Sequence, residues 1–505
     1  MHDQDGWEPR IAVDEGGARP LYLRISDALR RDVRRGRLRP GQRLPGSRTL
    51  ADDLGVHRNT VLAALDELSA QGWIVRVPAR GTFIASDLPP ATPGRAGAAT
   101  SSHALTPGFD LPREARGPSE RYRRARRDEP QPGTLMLAGG LPDTRLVPAD
   151  LLARAYRRAL RRSAREVLSY GDPRGSLRLR QAIAQMLAAT RGVVAAPEAL
   201  LVTRGAQMGL HLVGQLLGRS PRGARERPVI AVERYGYPPA WEALASGGAE
   251  LVPLPVDAHG LDVEALAALA ESRPVRAVYL TPHHQYPTTV PLAPARRLRL
   301  LELAARRRMA VIEDDYDHEF HFSGAPLLPL ASADERGVVL YVGTLSKIFA
   351  PGLRIAWVVA TPQVIERLAR LRLGIDRQGD LAVEHAVAEL LEDGEVARHA
   401  RRMRRVYSER RAVLQAALSR ELAEVLSYEL PAGGLALWCR ARGVDVDAWC
   451  QRAAELGARF DPASSFLFSS GRRPYVRLGF APLDEVEIDE AIRRVACALR
   501  PRRLR

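Results

Sequence analysis

Val338-Val339-Leu340-Tyr341-Val342 runs directly into Gly343-Thr344-Leu345-Ser346-Lys347, and then Ala350-Pro351-Gly352-Leu353-Arg354. The apolar, β-branched run reads as a buried strand. Past its end stand two hydroxyls, a lysine and, seven residues on, an arginine. That lysine is the only one in the chain: of 75 basic side chains in 505 residues, 74 are arginine. Count alone leaves two readings open. Arginine-biased codon usage can spare one lysine by chance, or the position needs chemistry that a guanidinium cannot perform. A lysine amine forms a Schiff base with an aldehyde, whereas arginine stays protonated. Hydroxyls beside an arginine suit a phosphate monoester.

Outward from this stretch, other short apolar runs also end in polar or glycine-bearing segments. In open parallel sheets ligands bind at the carboxyl ends of the strands, so these segments are expected to converge. Leu200-Leu201-Val202-Thr203 precedes Gly205-Ala206-Gln207 and a helix carrying Leu210, Leu212, Val213, Leu216 and Leu217. Glycine at a helix start exposes backbone N–H groups to an anion, although many such turns hold glycine for steric reasons alone. Val229-Ile230-Ala231-Val232-Glu233 precedes Arg234-Tyr235-Gly236-Tyr237-Pro238, where an aromatic can stack on a planar ring or simply pack in the core. Ala310-Val311-Ile312 precedes Glu313-Asp314-Asp315-Tyr316-Asp317. Such acids suit a divalent metal, a solvated loop, or a single carboxylate holding the protonated nitrogen of a pyridine ring. Phosphate, ring nitrogen, stacking aromatic and Schiff-base amine together describe one molecule, pyridoxal 5′-phosphate.

The chain carries a formal net charge of +16, which directs attention to acidic partners such as nucleic acid. A hydrophobic content of 46% excludes wholesale disorder. No apolar run approaches the roughly 18 residues of a membrane span. The first residues lack the basic and apolar regions of a signal peptide. Cys439, Cys450 and Cys497 form neither a metal-like spacing nor a disulfide framework, and no metal site is expected. A cytoplasmic protein with no membrane partner is the expectation.

Near the N-terminus, Tyr22, Ile25, Leu29 and Val33 fall on one helical face. Ser47 is expected to cap a short helix bearing Leu50, Ala51 and Leu54, which Gly55 ends. A second helix from about Arg58 carries Val61, Leu62, Leu65 and Leu68 as its buried stripe. Trp73-Ile74-Val75-Arg76-Val77, a turn through Arg80-Gly81, and Thr82-Phe83-Ile84 read as a β-hairpin wing. Ten arginines against two acids between Arg19 and Arg48 give this stretch a local charge of 10 − 2 = +8. Arg48, Arg58, Asn59, Thr60 and Arg80 are the candidate DNA-contacting residues. Helix, helix-turn-helix and wing in this order, with Leu44-Pro45-Gly46-Ser47-Arg48 and Arg58-Asn59-Thr60-Val61, resemble a GntR-type winged helix. His57 departs from the usual pattern where a capping serine is common, and Leu65 stands near a frequent tyrosine.

The region from about residue 133 onward resembles fold-type I aminotransferases, and the resemblance implies roles position by position. Lys347 matches the Schiff-base lysine, Asp314 the partner of the ring nitrogen, and Tyr316 the residue facing the ring hydroxyl. Tyr237 matches the ring-stacking aromatic. Gly205, Ala206, Gln207, Thr344, Ser346 and Arg354 match the phosphate cradle, and Arg477 the clamp on a substrate carboxylate. Ala206 lacks the hydroxyl often found in the cradle. In Thr281-Pro282-His283-His284-Gln285-Tyr286-Pro287-Thr288-Thr289, Thr289 replaces a usual glycine. Tyr286 stands where many aminotransferases carry an asparagine, which leaves His284 and Gln285 as weak candidates for the ring oxygen.

Together with Tyr170-Gly171-Asp172-Pro173-Arg174-Gly175, these segments resemble MocR/GabR-type transcriptional regulators. That resemblance implies two domains: an α+β winged helix at residues 19–87 and an α/β aminotransferase-like dimerisation domain at residues 133–505. A flexible linker at 88–132 joins them. It also implies a homodimer with the cofactor near its interface, reading a double-stranded DNA operator. Operator binding is expected to respond to pyridoxal phosphate, or to an amine or amino-acid effector through aldimine exchange at Lys347. The alternative is an active aminotransferase with an autoregulatory DNA-binding domain.

Overall fold

The computed structural model describes residue 13 and residues 19–88, 132–137, 139–219, 226–324, 327–469 and 471–499. The chain divides into two compact units between Arg113 and Glu114. That boundary falls within the expected linker, nearly all of which lies outside the described residues.

In the first unit, α1 (Leu21–Arg34), α2 (Ser47–Leu54) and α3 (Arg58–Ala70) precede a hairpin of β1 (Ile74–Val77) and β2 (Gly81–Ile84). Ile25, Leu29 and Val33 of α1 meet Leu50 and Ala51 of α2 and Val61, Ala64, Leu65 and Leu68 of α3 in one core. Leu62 is only half-buried. Ala64 takes its place because the helical period sets residues 61, 64, 65 and 68 on the face toward α1. The expected cap at Ser47 is corrected: Gly46 is the N-cap and Ser47 the first helical residue. The Ser47 hydroxyl instead accepts from Arg58 Nε at 3.2 Å. Gly55 ends α2 in the left-handed conformation, φ 62°, where glycine carries no Cβ penalty. At the head of α3 the His57 ring performs the capping, Nδ1 accepting from the Asn59 N–H at 3.2 Å. Ile74 pairs with Ile84 and Val77 with Gly81 across the wing.

The second unit is built on seven strands: β3 (Leu200–Arg204), β4 (Val229–Glu233), β5 (Glu250–Leu254), β6 (Val275–Leu280), β7 (Ala310–Asp315), β8 (Val339–Thr344) and β9 (Ile355–Val359). Their spatial order is β3-β9-β8-β7-β6-β4-β5. All neighbours run parallel except β9, which is antiparallel to both β8 and β3. Helices cover this sheet, as its continuous apolar strands require. Two strands run further than their apolar stretches suggest. β7 continues through Asp315, pairing Asp314 with Val342 and Asp315 with Gly343, and β8 continues to Thr344. Glu313, Asp314 and Asp315 are therefore inside the sheet rather than on a loop, and Asp317 lies just past it.

A second, antiparallel sheet contains β10 (Leu426–Tyr428), β11 (Ala436–Ala441), β12 (Asp461–Pro462) and β13 (Tyr475–Gly479), in the order β10-β11-β13-β12. It packs with the long helix Glu395–Glu421 and the helix Glu485–Cys497 around a core of its own. The two sheets therefore belong to separate hydrophobic clusters.

Gly343 is fixed by packing. A Cβ there would lie 2.5 Å from the indole of Trp357, which is fully buried on the adjacent strand. Overfilling a packed core costs about 1–3 kcal/mol. Gly343→Ala should lower stability by that amount, read from the urea midpoint of the full chain at unchanged slope.

Candidate functional site

Because β9 alone is reversed, its first residues lie at the same end of the sheet as the last residues of β8 and β3. Arg354, just ahead of β9, is in the left-handed region with φ 54°. Its guanidinium donates to the Arg204 carbonyl at 3.0 Å and lies over Gly205, where a Cβ would come within 2.6 Å of it. Gly205, with φ 82°, is the N-cap of the helix Ala206–Leu217, whose first backbone N–H groups have no intrahelical acceptor. Thr344 Oγ1 accepts from the Ser346 N–H at 3.1 Å and stands 3.0 Å from Ser346 Oγ. Guanidinium, hydroxyls and helix N-terminus thus meet in one place, a donor set suited to a phosphate dianion.

A cavity of about 260 Å³ opens from this cradle. Ala206, Gln207, Tyr237, Asp314, Tyr316, Thr344, Ser346, Lys347 and Arg354 all line it. Of the expected cofactor residues, only Gly205 stays behind the wall, under Arg354. The Gln207 side chain turns aside to donate to the Pro239 carbonyl at 2.5 Å, so its contribution to the cradle is its backbone. Tyr237 meets Tyr286 edge to face at 5.6 Å, and Tyr286 meets Tyr316 likewise at 5.9 Å. The Tyr316 hydroxyl donates to the His284 carbonyl at 3.0 Å.

Of the four neighbouring acids, one faces the cavity. Glu313 accepts the Leu330 and Ala331 N–H groups at 2.7 and 2.9 Å. Asp315 accepts from the Tyr341 hydroxyl at 2.6 Å and lies 3.5 Å from the buried Arg191 guanidinium. His318, with Arg191, holds its carboxyl far below the usual range despite burial. Asp317 is 2.8 Å from His284 Nδ1. Carboxylates with separate partners do not make one metal site, which removes the divalent-metal reading of this run. Asp314 accepts from the Tyr279 hydroxyl at 2.8 Å, and burial pushes its carboxyl up to about 6.

His284 and Gln285, the weak candidates for the ring oxygen, do not line the cavity. His284 is tied to Asp317, and the Gln285 amide donates to the Tyr235 and Tyr286 carbonyls, both at 2.7 Å. Tyr286 lines the wall instead, with Gly139, Gly140 and Thr281. Arg477, on β13, is fully buried against Gly139 and Gly140, and its guanidinium stands 4.5 Å from the Tyr286 ring centroid. None of its three side-chain nitrogens has a hydrogen-bond partner among the described residues.

In the first unit, Arg48, Arg58, Asn59 and Arg80 are exposed and Thr60 is half-buried. Arg58 and Asn59 open α3, and Arg80 stands at the tip of the wing.

Comparison with known proteins matches both units. Residues 21–84 fit the family of bacterial regulatory proteins of the gntR family, and residues 140–495 fit aminotransferase class I and II. The chain is 33% identical to the probable rhizopine catabolism regulatory protein MocR of Rhizobium meliloti, over 95% of this chain and 94% of that one. The chain belongs to the MocR-type GntR regulators. It is also 33% identical to the pyridoxine biosynthesis transcriptional regulator PdxR of Corynebacterium glutamicum, over 80% of each chain. Among solved structures, the α-aminoadipate aminotransferase LysN of Thermus thermophilus, complexed with N-(5′-phosphopyridoxyl)-L-leucine, is 32% identical. It superposes with a TM-score of 0.67 over 74% of this chain and 94% of that chain. This MocR-type chain is therefore a DNA-binding transcriptional regulator with an aminotransferase-like domain, and its cofactor is pyridoxal phosphate.

The cavity fits that cofactor on its own chemistry. It offers an anion cradle, a buried carboxylate, an amine and aromatic walls, and Gly205 leaves space that a Cβ would fill. Residues that the sequence reading missed are Tyr279, Tyr286, Thr281 and the Gly139-Gly140 pair. The adjacent glycines ahead of Pro142 were a legible sign of close backbone approach.

Two predictions test these assignments. A protonated ring nitrogen needs Asp314 ionised. With its folded-state value raised to about 6, that form is lost as pH falls through 6. Cofactor affinity should drop below that pH. Asp314→Asn should remove this limb of the pH profile and weaken binding roughly ten- to hundredfold at neutral pH, as followed by cofactor fluorescence titration. In the first unit, Arg80→Ala should weaken operator and nonspecific DNA alike. It should also flatten the log–log salt dependence by about 1, the loss expected for one phosphate contact.

Proposed function

We propose that operator affinity of this regulator is set by an amino-acid effector that reaches the cofactor cavity, with Lys347 and Arg477 as the two residues that read it. The observation that carries this reading is Arg477, a fully buried guanidinium without a hydrogen-bond partner among the described residues. Burying an unpaired charge costs several kcal/mol, and a ligand carboxylate over Gly139 and Gly140 offsets that cost. The guanidinium fork suits a carboxylate in two parallel hydrogen bonds. When bound, pyridoxal phosphate supplies an aldehyde with which an amine can condense. Lys347 would hold the amine that faces that aldehyde. Asp314 keeps a positive ring nitrogen in place, and Tyr237 and Tyr286 exclude water from the faces of the ring. The cradle around Arg354, Thr344 and Ser346 holds the phosphate.

An effector shifts DNA affinity only through different contacts in two arrangements of the protein. Residues 19–87 act as the DNA-reading part and 133–505 as the sensing part, joined by the linker at 88–132. A homodimer of this chain would present two winged helices to two operator half-sites.

The test is operator binding by the full chain, with and without amino acids, beside absorbance of the bound cofactor. Arg477→Gln should cost about a hundredfold in amino-acid potency and leave the change in cofactor absorbance caused by a simple amine intact. Lys347→Ala should abolish both the cofactor's imine absorbance and the effector response. If Lys347→Ala loses that absorbance but keeps effector-dependent DNA binding, the reading is wrong. Substantial steady-state turnover with an amino donor and a keto acid would instead favour an aminotransferase that regulates its own synthesis.

A further inference from the structure

Outside the cavity lining, next to Tyr316, whose hydroxyl donates to the His284 carbonyl, lies a cluster of imidazoles. His283 and His284 follow β6, and His318 and His321 follow β7. One ring nitrogen each from His283, His284 and His321 lie within 4.8 Å of one another. The rings of His283 and His284 are 4.3 Å apart, and those of His283 and His318 are 4.5 Å apart. His283, His284 and His318 are each about 95% buried, whereas His321 is half-buried.

Two features point to a ligand. Neither ring nitrogen of His283 has a hydrogen-bond partner among the described residues, an unsatisfied state that is costly at such burial. His284 Nδ1 is engaged by Asp317 at 2.8 Å. With Nδ1–H donating to that carboxylate, the lone pair is on Nε2, the arrangement that orients metal-binding histidines. Gly433 lies against that Nε2, where a Cβ would come within 2.5 Å, so the absence of a side chain keeps the nitrogen approachable.

We propose that His283, His284 and His321 bind a divalent transition-metal ion of the imidazole-preferring class, with Zn²⁺ as the probe. Three imidazoles suit zinc, nickel or copper and give little to magnesium or calcium, which take oxygen ligands. Bonds of about 2.0–2.1 Å draw the three nitrogens closer than they stand here, and the half-buried His321 has room to move inward. Three protein ligands leave a fourth position for water or an incoming ligand. His318 stacks beside His283, and its Nδ1 lies 3.3 Å from Asp315, which engages it elsewhere. No short ligand spacing announces this site, because its two halves are separated by the helix Pro294–Arg307 and the strand β7. It is independent of the effector reading above.

The experiment is calorimetric titration of Zn²⁺ into the cofactor-loaded full chain at pH 7.5, alongside Mg²⁺, and into His321→Gln and His283→Gln. The wild type should bind Zn²⁺ with micromolar or tighter affinity and show no heat with Mg²⁺. Each variant should lose about a hundredfold in zinc affinity while retaining cofactor absorbance, a loss of the order expected for a disrupted metal shell. His321→Gln, at the more exposed position, decides the matter if the buried variant does not fold. Absence of Zn²⁺ binding in the wild type, or His321→Gln binding Zn²⁺ as the wild type does, overturns the proposal.

Discussion

The reversal of one strand organises the second unit. Were β9 parallel to its neighbours, Arg354 would enter the sheet at the opposite end from Thr344 and Arg204. Antiparallel pairing of Ile355 with Arg204 and of Ala356 with Thr344 brings three segments, far apart in sequence, to one edge. The turn between β8 and β9 must then be short and tightly held. The Leu345 N–H donates to the Ile355 carbonyl at 3.1 Å, and Arg354 takes a left-handed conformation that a non-glycine residue adopts only when its surroundings insist. Lys347 lies within that turn, so its position follows from strand direction.

Charge burial is the second constraint. The end of β7 places Glu313, Asp314 and Asp315 side by side inside the sheet, where ionised groups are costly. Two of them find backbone amides, a phenol or an arginine within the protein. Asp314 has a single phenol, from Tyr279, and burial leaves its carboxyl raised, as it does that of Glu313. Arg477 has an aromatic face and no hydrogen bond among the described residues. Asp314 thus borders the cavity as a partly satisfied anion, and Arg477, packed against Gly139 and Gly140 of its wall, is a cation without a hydrogen bond among the described residues. A fold under selection for stability alone would have satisfied or removed both.

Much of this was legible in the sequence, and the failures share a cause. The helix-turn-helix and its wing rest on local periodicity and turn residues, and so does each strand that leads into the cavity. The lysine, too, was conspicuous by its rarity. By contrast β9 went unlisted, since a short apolar run does not declare its direction. Tyr279 was hidden inside an apolar strand, and Tyr286 owes its role to neighbours fifty and thirty residues away. At Ser47 the expected cap failed because the helix starts one residue earlier than a serine cap requires, and the hydroxyl serves Arg58 instead. Thr289 was a sound warning: it has φ 64°, which explains why glycine is usual at that place.

What an effector can do here depends on which core each contact belongs to. Leu345, Ile348 and Phe349, around Lys347, pack into the core of the large sheet, whereas Val476 and Leu478, flanking Arg477, pack into that of the small one. A ligand that engages only the amine end touches the first core alone. A ligand that also offers a carboxylate joins the two, because its charges answer groups rooted in separate packed bodies. Packed cores resist continuous deformation and shift against one another as units. An amino acid can therefore favour one relative placement of the two sheets in a way that a simple amine, lacking the second contact, has no energy to do. Under the proposed reading, discrimination between the two ligand types follows from this geometry, and Arg477 would supply the differential contact that an effector-driven shift requires.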